Sequence, residues 1–416
     1  MFSPRAIHII DPGLFNVAGH NLTQDLSIAR ECQKREIPVT IYCRLGAHLG
    51  ISDVRIVEVF RADIFAEPRA QRQEFAPFEI YFLINRIFMQ DLNLLPSADF
   101  SANDLIYFPN LTQNQIEAVA DWLISLPIEN RPIVAITLRY LSWQMQYNRA
   151  RGYGTAIELL YSHVLPKLLE RHPRTHLFSD TQVLSENFSR VSGTQVVTLP
   201  IPQAGYAPKK LRANNEEQGS TDRNLSLLYI GGWGDVHGSC FLPEIIASVL
   251  NEFPNVSFTV QVNVDPAAKA ADVQIMAVLS TAFAPRVRLL IGKLSSEAYA
   301  TEMENADVVL LLYQPANYWF ASSGVFTEAA ARGKVMVVTA GTTLETSVRA
   351  YALGAVIAPE FSVDSCSLAV KKAIAEFAEF DQQATDTYTR FAQENSPQGF
   401  IDRFFAQIER SALEKH

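Results

Sequence analysis

The sequence predicts an α/β protein with two doubly wound parallel sheets, one in each half of the chain. Three observations carry this. Short apolar runs recur along the whole chain, amphipathic stretches fill the gaps between them, and one long polar segment divides the series in two. Runs rich in β-branched residues and without strict polar alternation suit strands buried on both faces. Strand–helix–strand repetition then implies parallel sheets covered by helices on both sides.

In the first half the strand-like runs are Ala6–Ile10, Val39–Cys43, Ile56–Phe60, Leu105–Phe108, Ile133–Thr137, His176–Ser179 and Val196–Leu199. Helical spacing of apolar residues appears at Leu22–Arg35, Gln113–Leu126 and Ile157–Glu170. The stretch Gln203–Asn224 has almost no apolar residues and is rich in Gly, Asn and charge, so it reads as a linker. Beyond it the strand-like runs resume at Leu225–Ile230, Val256–Val262, Val287–Ile291, Val308–Tyr313, Val335–Thr339 and Ala355–Ala358. Helical patterns follow at Leu242–Phe253, Ser296–Asn305 and Phe326–Arg332. The expected division is a domain over 1–205, a linker over 206–223, a second domain over 224–390, and a C-terminal helix over 391–416. Phe400, Phe404, Phe405 and Ile408 give that helix an apolar stripe to pack back on the first domain. Ligands of doubly wound sheets bind at the carboxyl ends of the strands, so the site is expected where two such domains face each other. The aromatic and Arg-bearing segment Ala66–Leu95 reads as a core-facing helix pair, with an exposed surface for an acceptor or a membrane edge as the alternative.

Composition narrows the function. The chain has 416 residues, 48% of them hydrophobic and 19% charged, which is the composition of folded domains. Lys plus Arg number 35 against 44 for Asp plus Glu, a net charge of -9. Without a basic cluster, nucleic acid is not an expected partner. The cysteines, Cys32, Cys43, Cys240 and Cys366, form no Cys-x-x-Cys pair and have no His cluster at zinc spacing, so reduced thiols in the cytoplasm are expected. Met1–Asp11 lacks the basic lead and apolar core of a signal peptide, and no window has the length of a membrane span. The expected place is the cytoplasm, with a peripheral contact to the inner membrane face left open.

The stretch Ala306–Gly341 carries the chemistry. A buried strand leads into a loop, and Ser322, Ser323 and Gly324 open a helix that begins with Val325. Free N–H groups at a helix start bind phosphate oxygens, and glycine lets a ligand come close to the backbone. Glu328 lies one turn in, where a carboxylate can accept from a ribose diol. The same serine also serves as an ordinary helix cap. No Asp-x-Asp pair occurs in the chain, so no metal site for a diphosphate is expected.

With these residues the sequence resembles the GT-B glycosyltransferases, in particular the retaining family called glycosyl transferases group 1. The matching residues are Ala306-Asp307, Ser323-Gly324, Glu328-Ala329, Ala331 and Gly333-Lys334. Gly231–Gly238 occupies the place of that family's glycine turn, Val287–Leu294 its strand and turn near the base, and Gly13 with Gly19, His20 and Asn21 its acceptor-side glycine loop. Phe178–Asn187 followed by Leu199–Pro202 agrees in order. The departures are specific. Phe320 stands eight residues before Glu328, where the family has a first glutamate. Gly232 and His237 stand where it often has an Arg and a Lys, and Leu138-Arg139-Tyr140 follows the strand where it often has a His.

The resemblance implies two facing Rossmann-like domains of GT-B architecture and transfer of a sugar from a nucleoside diphosphate sugar to an acceptor hydroxyl, with retention and without metal or cofactor. Glu328 would hold the ribose, and Ser322, Ser323, Gly324 and Val325 the diphosphate, with Gly232 and His237 beside them. The Gly292 turn would meet the base. Lys293, Arg139 and His237 are the candidates for the missing cations, and Gly19, His20 and Asn21 mark the acceptor side. The acceptor would be a saccharide, a lipid-linked sugar or a small molecule, in polysaccharide or glycoconjugate biosynthesis. The rival expectations are a sugar-nucleotide 2-epimerase and a non-catalytic binding relative.

Overall fold

The computed structural model describes residues 2–15, 20–61, 77–96, 100–139, 154–202, 224–263 and 270–413. The expected linker over 206–223, Gly19 and residues 66–76 of the aromatic segment lie outside these. Two compact units are present, Met1–Ala204 with Ser396–His416, and Gly205–Asn395.

The first unit is a parallel seven-stranded sheet in the order β3-β2-β1-β4-β5-β6-β7. Its strands are β1 (Ile7–Ile10), β2 (Val39–Arg44), β3 (Arg55–Phe60), β4 (Leu105–Leu111), β5 (Ile133–Leu138), β6 (Thr175–Ser179) and β7 (Val197–Thr198). Every residue of β4 and β5 is buried, as two-sided helix cover requires. In register, Ile7 stands opposite both Val39 and Leu105. The helices are α1 (His20–Lys34), α2 (Pro77–Leu92), α3 (Ile116–Ser125), α4 (Gly154–Arg171) and α5 (Gln182–Ser192). Helix α5 starts where Thr181 accepts from the Leu184 amide and stops at left-handed Gly193.

Over its described part, the segment expected as a core-facing helix pair is the single helix α2. Ile84, Phe88 and Leu92 are buried, while Phe82 and Leu83 face solvent. The Asn85 side chain, accepting from the Ala118 amide at 2.9 Å, ties this helix to α3.

The second unit is a parallel six-stranded sheet in the order β10-β9-β8-β11-β12-β13. Its strands are β8 (Leu225–Tyr229), β9 (Val256–Val262), β10 (Val287–Ile291), β11 (Val308–Leu311), β12 (Val335–Thr339) and β13 (Ala355–Ala358). The helices are α6 (Leu242–Glu252), α7 (Ala270–Ala282), α8 (Ser296–Asn305), the one-turn α9 (Pro315–Tyr318), α10 (Gly324–Ala331), α11 (Thr343–Tyr351), α12 (Val363–Ala375) and α13 (Phe377–Asn395). One core packs α6 and α12 against β8, β9 and β12, and a second core packs α10, α11 and α13 against the other face. No described helix is long and apolar enough to cross a membrane.

The last helix, α14 (Pro397–Leu413), belongs to the first unit. Its buried stripe of Phe400, Ile401, Phe404 and Ile408 joins the core of β1, β2 and β4. The Phe404 ring lies 5.1 Å from Tyr107 and 5.3 Å from Phe178, and Asp402 pairs with Arg35, just past the end of α1, at 2.8 Å. Phe404→Ala is expected to remove about 3–5 kcal/mol from the first unit, the usual cost of a phenylalanine-sized cavity. A denaturant titration read on that unit checks it, and a loss under about 1 kcal/mol would contradict this packing.

Candidate functional site

In the second unit the strand order reverses between β8 and β11, and the crevice at that point is built by a glycine turn. The chain leaves β8 through Gly231 to Gly238. A Cβ on Gly232 would come within 2.6 Å of the His237 Nε2, and one on Gly238 would collide with the Leu312 carbonyl oxygen. The Gly238 φ of 75° is also in the left-handed region, so glycine is required there on both counts. Tyr229 donates its hydroxyl proton to the Gly232 carbonyl at 2.9 Å, and the Gln314 amide bonds the Val236 carbonyl at 2.9 Å. Buried Gln261 joins two turns: its Oε1 accepts from the Gly231 amide at 3.0 Å, and its Nε2 donates to the Gly292 carbonyl at 2.8 Å.

Across this crevice stands the start of α10. Ser323 is its cap, accepting from the Phe326 amide at 3.2 Å and donating to the Tyr313 hydroxyl at 3.3 Å. The Gly324 and Val325 amides have no acceptor among the described residues. A Cβ on Gly231 would meet Val325 Cγ2 at 3.0 Å, so the glycine turn lies against this first helical turn. Two free N–H groups and the positive end of the helix make a place for an anion. Glu328 follows one turn later, its Oε2 3.3 Å from Nη1 of buried Arg332. Burial, and behind it the Glu328 charge, raises the Tyr299 phenol above its ordinary range.

The aromatic wall is dense. Tyr313 and Tyr318 stack at 4.2 Å, and the His237 ring stands edge-on to them at 5.5 and 5.9 Å. Burial lowers the His237 pKa, so the ring is neutral at neutral pH and could act toward an anion only as a hydrogen-bond donor. Phe320 is buried edge-on to Trp319. Lys293 is exposed in the turn beside Gly292, and Ser322 is exposed ahead of the cap. Two residues of the quoted pattern serve the scaffold: the Asp307 carboxylate accepts from the Ser226 amide at 2.9 Å, and Lys334 donates to the Ala306 carbonyl at 2.7 Å. Gly232, His237, Ser323, Gly324 and Val325 thus meet at one crevice, Gly292 is tied to it through Gln261, and Glu328 sits one turn behind. Among the described residues no group of three or more His, Cys, Asp or Glu is placed to hold a metal.

Arg139 belongs to the first unit, at the end of β5. Its Nη2 donates to Gln24 Oε1 at 2.7 Å. Close by are two carboxyls that sequence reasoning missed, Asp11 after β1 and Asp25 inside α1, both buried. Asp11 accepts from the Gly13 amide at 2.8 Å. Burial pushes Asp11 up to about 6. Asp25 is raised well above the carboxylate range, first by burial and then by the charge of Asp11. The Arg139 charge opposes both shifts. The available signal was an Asp on the apolar stripe of α1, between Leu22 and Ala29. His20 opens α1, but its side chain lies outside the described residues. Asn21 is half-buried.

No protein-family model matches the chain, and no curated protein matches it. Solved structures do match. A sucrose-phosphate synthase from Thermosynechococcus elongatus aligns with TM-score 0.66 at 15% identity, over 99% of this chain and 100% of that one. A UDP-forming alpha,alpha-trehalose-phosphate synthase from Burkholderia xenovorans gives 0.65 at 13% identity, over 99% and 100%. WaaG, a glycosyltransferase involved in lipopolysaccharide biosynthesis, gives 0.58 at 15% identity, over 97% and 99%. At these identities the likeness is one of fold: two Rossmann-like parallel-sheet domains, as in GT-B glycosyltransferase structures.

The buried acid pair has a pH signature. The folded chain keeps an Asp25 proton that the unfolded chain releases above about 3.8. Stability therefore falls as pH rises through that value toward the raised folded pKa. Asp25→Asn removes this titration and keeps a donor for Asp11. The variant is expected to gain melting temperature over the unaltered chain, and to gain more at about pH 8 than at about pH 4. Equal differences at both pH values would contradict the raised carboxyl.

Proposed function

We propose that this protein is a glycosyltransferase whose donor, a nucleoside diphosphate sugar, binds at the carboxyl end of the second unit's sheet. The observation that carries the reading is the pairing of the Gly231–Gly238 turn with the unpartnered Gly324 and Val325 amides at the start of α10. That crevice suits a diphosphate, which needs close backbone approach and N–H donors. Glu328, one turn along, is at the right remove for the ribose hydroxyls, and the Gly292 turn for the base. Lys293 is the side-chain cation nearest to that role in sequence. Diphosphate charge would be met by helix amides and this lysine, without a divalent ion.

In the reaction, an acceptor hydroxyl oxygen bonds to the anomeric carbon as the bond from that carbon to the diphosphate oxygen breaks. The acceptor proton passes to the departing phosphate. This supplies a base from the substrate itself and agrees with retention, the outcome in the family that the motif resembles. The acceptor would be held by the first unit. None of the four cysteines forms a disulfide, which supports a cytoplasmic setting. A non-catalytic nucleotide-sugar-binding protein is the second reading, and buried Phe320 in place of a carboxylate favours it.

Thermal unfolding of the whole chain with nucleoside diphosphates and nucleotide sugars tests this, beginning with uridine nucleotides because the similar trehalose-phosphate synthase is UDP-forming. A cognate nucleotide at one hundred times its Kd adds about 2.7 kcal/mol, or roughly 5–10 °C for a domain of this size. Glu328→Ala is expected to weaken binding by about tenfold or more. If no nucleotide shifts the transition, the donor site is wrong. If nucleotide sugars bind and no donor or acceptor turns over, the second reading stands. Where turnover occurs, NMR of the product's anomeric proton reads retention against inversion.

A further inference from the structure

The polar groups at the carboxyl end of the first unit's sheet have no part in the donor site, and many are buried without partners. They gather at the β1/β4 point where that strand order reverses. Among the described residues, no N–H or O–H reaches either Asp25 oxygen, apart from the proton that Asp25 shares with Asp11. Arg139 Nε and Gln24 Nε2 are likewise unmatched donors. Asn110, at the end of the adjoining β4, has neither its oxygen nor its nitrogen bonded. Asp25 and Asn110 are almost wholly buried, at 0% and 1% exposure, while Gly13, Asn21 and Arg139 are half-buried. Buried polar atoms normally find partners, so a concentration of unmatched ones marks a place where a ligand supplies them.

We propose that Asp11, Asp25, Asn110 and Arg139 bind an uncharged saccharide through its hydroxyls, and that this is the acceptor class of the transferase reading on which the proposal rests. Two arguments select the class. The unmatched atoms are acceptors (the Asp25 oxygen outside the proton bond to Asp11, and the Asn110 oxygen) as well as donors (Arg139 Nε, Gln24 Nε2 and the Asn110 nitrogen). A hydroxyl donates and accepts, so a vicinal pair can satisfy both kinds, whereas a phosphate monoester dianion only accepts. The charge is also already balanced. With one proton shared by the acid pair, one negative carboxylate stands beside one guanidinium. A phosphate would add negative charge next to buried carboxyls and meet a cation already engaged by Gln24.

The test is calorimetry on the full-length protein, titrating neutral mono- and disaccharides and their phosphate monoesters, with and without bound nucleotide. At least one neutral saccharide is expected to bind, and its phosphate ester to bind more weakly. Asp25→Leu, which fills the volume without donors or acceptors, is expected to weaken the saccharide by about tenfold or more while nucleotide binding stays unchanged. Asp25→Asn, which keeps the shape, serves as the second variant if the leucine repacks the helix, and is expected to weaken binding less. Tighter binding of the phosphate esters would overturn the proposal. So would unchanged saccharide affinity in both variants, or no saccharide binding even in large excess, which would leave a cluster that orders only water. Saccharide binding lost in Asp25→Leu, in a protein that binds no nucleotide, would uphold this site and sink the donor reading alone.

Discussion

The geometry of the second unit hangs on one buried amide. Gln261 sits in β9, between the strand that leads to the glycine turn and the strand that leads to Gly292. By accepting from Gly231 and donating to Gly292 it fixes two turns that are 30 and 31 residues away from it in sequence. Without it those two backbone groups would be half-buried and unmatched, and the turns would be free to move independently. With it the glycine turn is held against Val325, whose amide, like that of Gly324, has no acceptor among the described residues. The anion place at α10 depends on that turn staying where Gln261 puts it.

The two sheet ends show opposite solutions to charge. In the second unit the inward groups are neutral: backbone amides, stacked tyrosines and an imidazole that burial keeps unprotonated. Glu328 is the exception, and Arg332 accompanies it. Such a crevice has spare donor capacity and little negative charge of its own, so an anion is the ligand that it favours. In the first unit the inward groups are ionisable, two carboxyls and a guanidinium, and their charges cancel when the acids share a proton. Two buried carboxyls make that end a poor place for an anion. One chain thus offers two chemically distinct sheet ends.

How much of this was legible in the sequence follows from the range of the interactions. All thirteen described strands fall on apolar runs, and the inner ones do so because a strand buried on both faces writes its burial into consecutive residues. Helix α10 and its Ser323 cap were legible for the same reason, since a cap is local chemistry. Helices with thin or interrupted stripes were not. In α13 only Phe377, Ala384, Phe391, Ala392 and Asn395 are buried over nineteen residues, and α7 exposes Ile275 and Val278, so neither shows a clean apolar face. The glycines of the turn were visible, but the need for them was not. It arises from Leu312 and Val325, which come from elsewhere in the chain. In sequence Gln261 is one polar residue in an apolar strand, and Asp11 and Asp25 stand fourteen residues apart with nothing local to pair them. Only packing α1 beside the end of β1 brings that pair together.

The same reasoning bears on the positions where the chain departs from the pattern that it resembles. Gly232 cannot be exchanged for a longer cationic residue without displacing His237, because even a Cβ would enter the imidazole. His237 in turn is held by Tyr313 and Tyr318, and Tyr313 receives the hydroxyl of the cap, Ser323. The glycine, the histidine, the stacked tyrosines and the helix cap therefore form one packed chain of contacts, and a cation restored at one position would disturb the others. The loss of charge here is a property of the whole wall. Any anion held in this crevice must be bound chiefly by backbone donors, whose positions the packed wall fixes and whose strength pH does not alter.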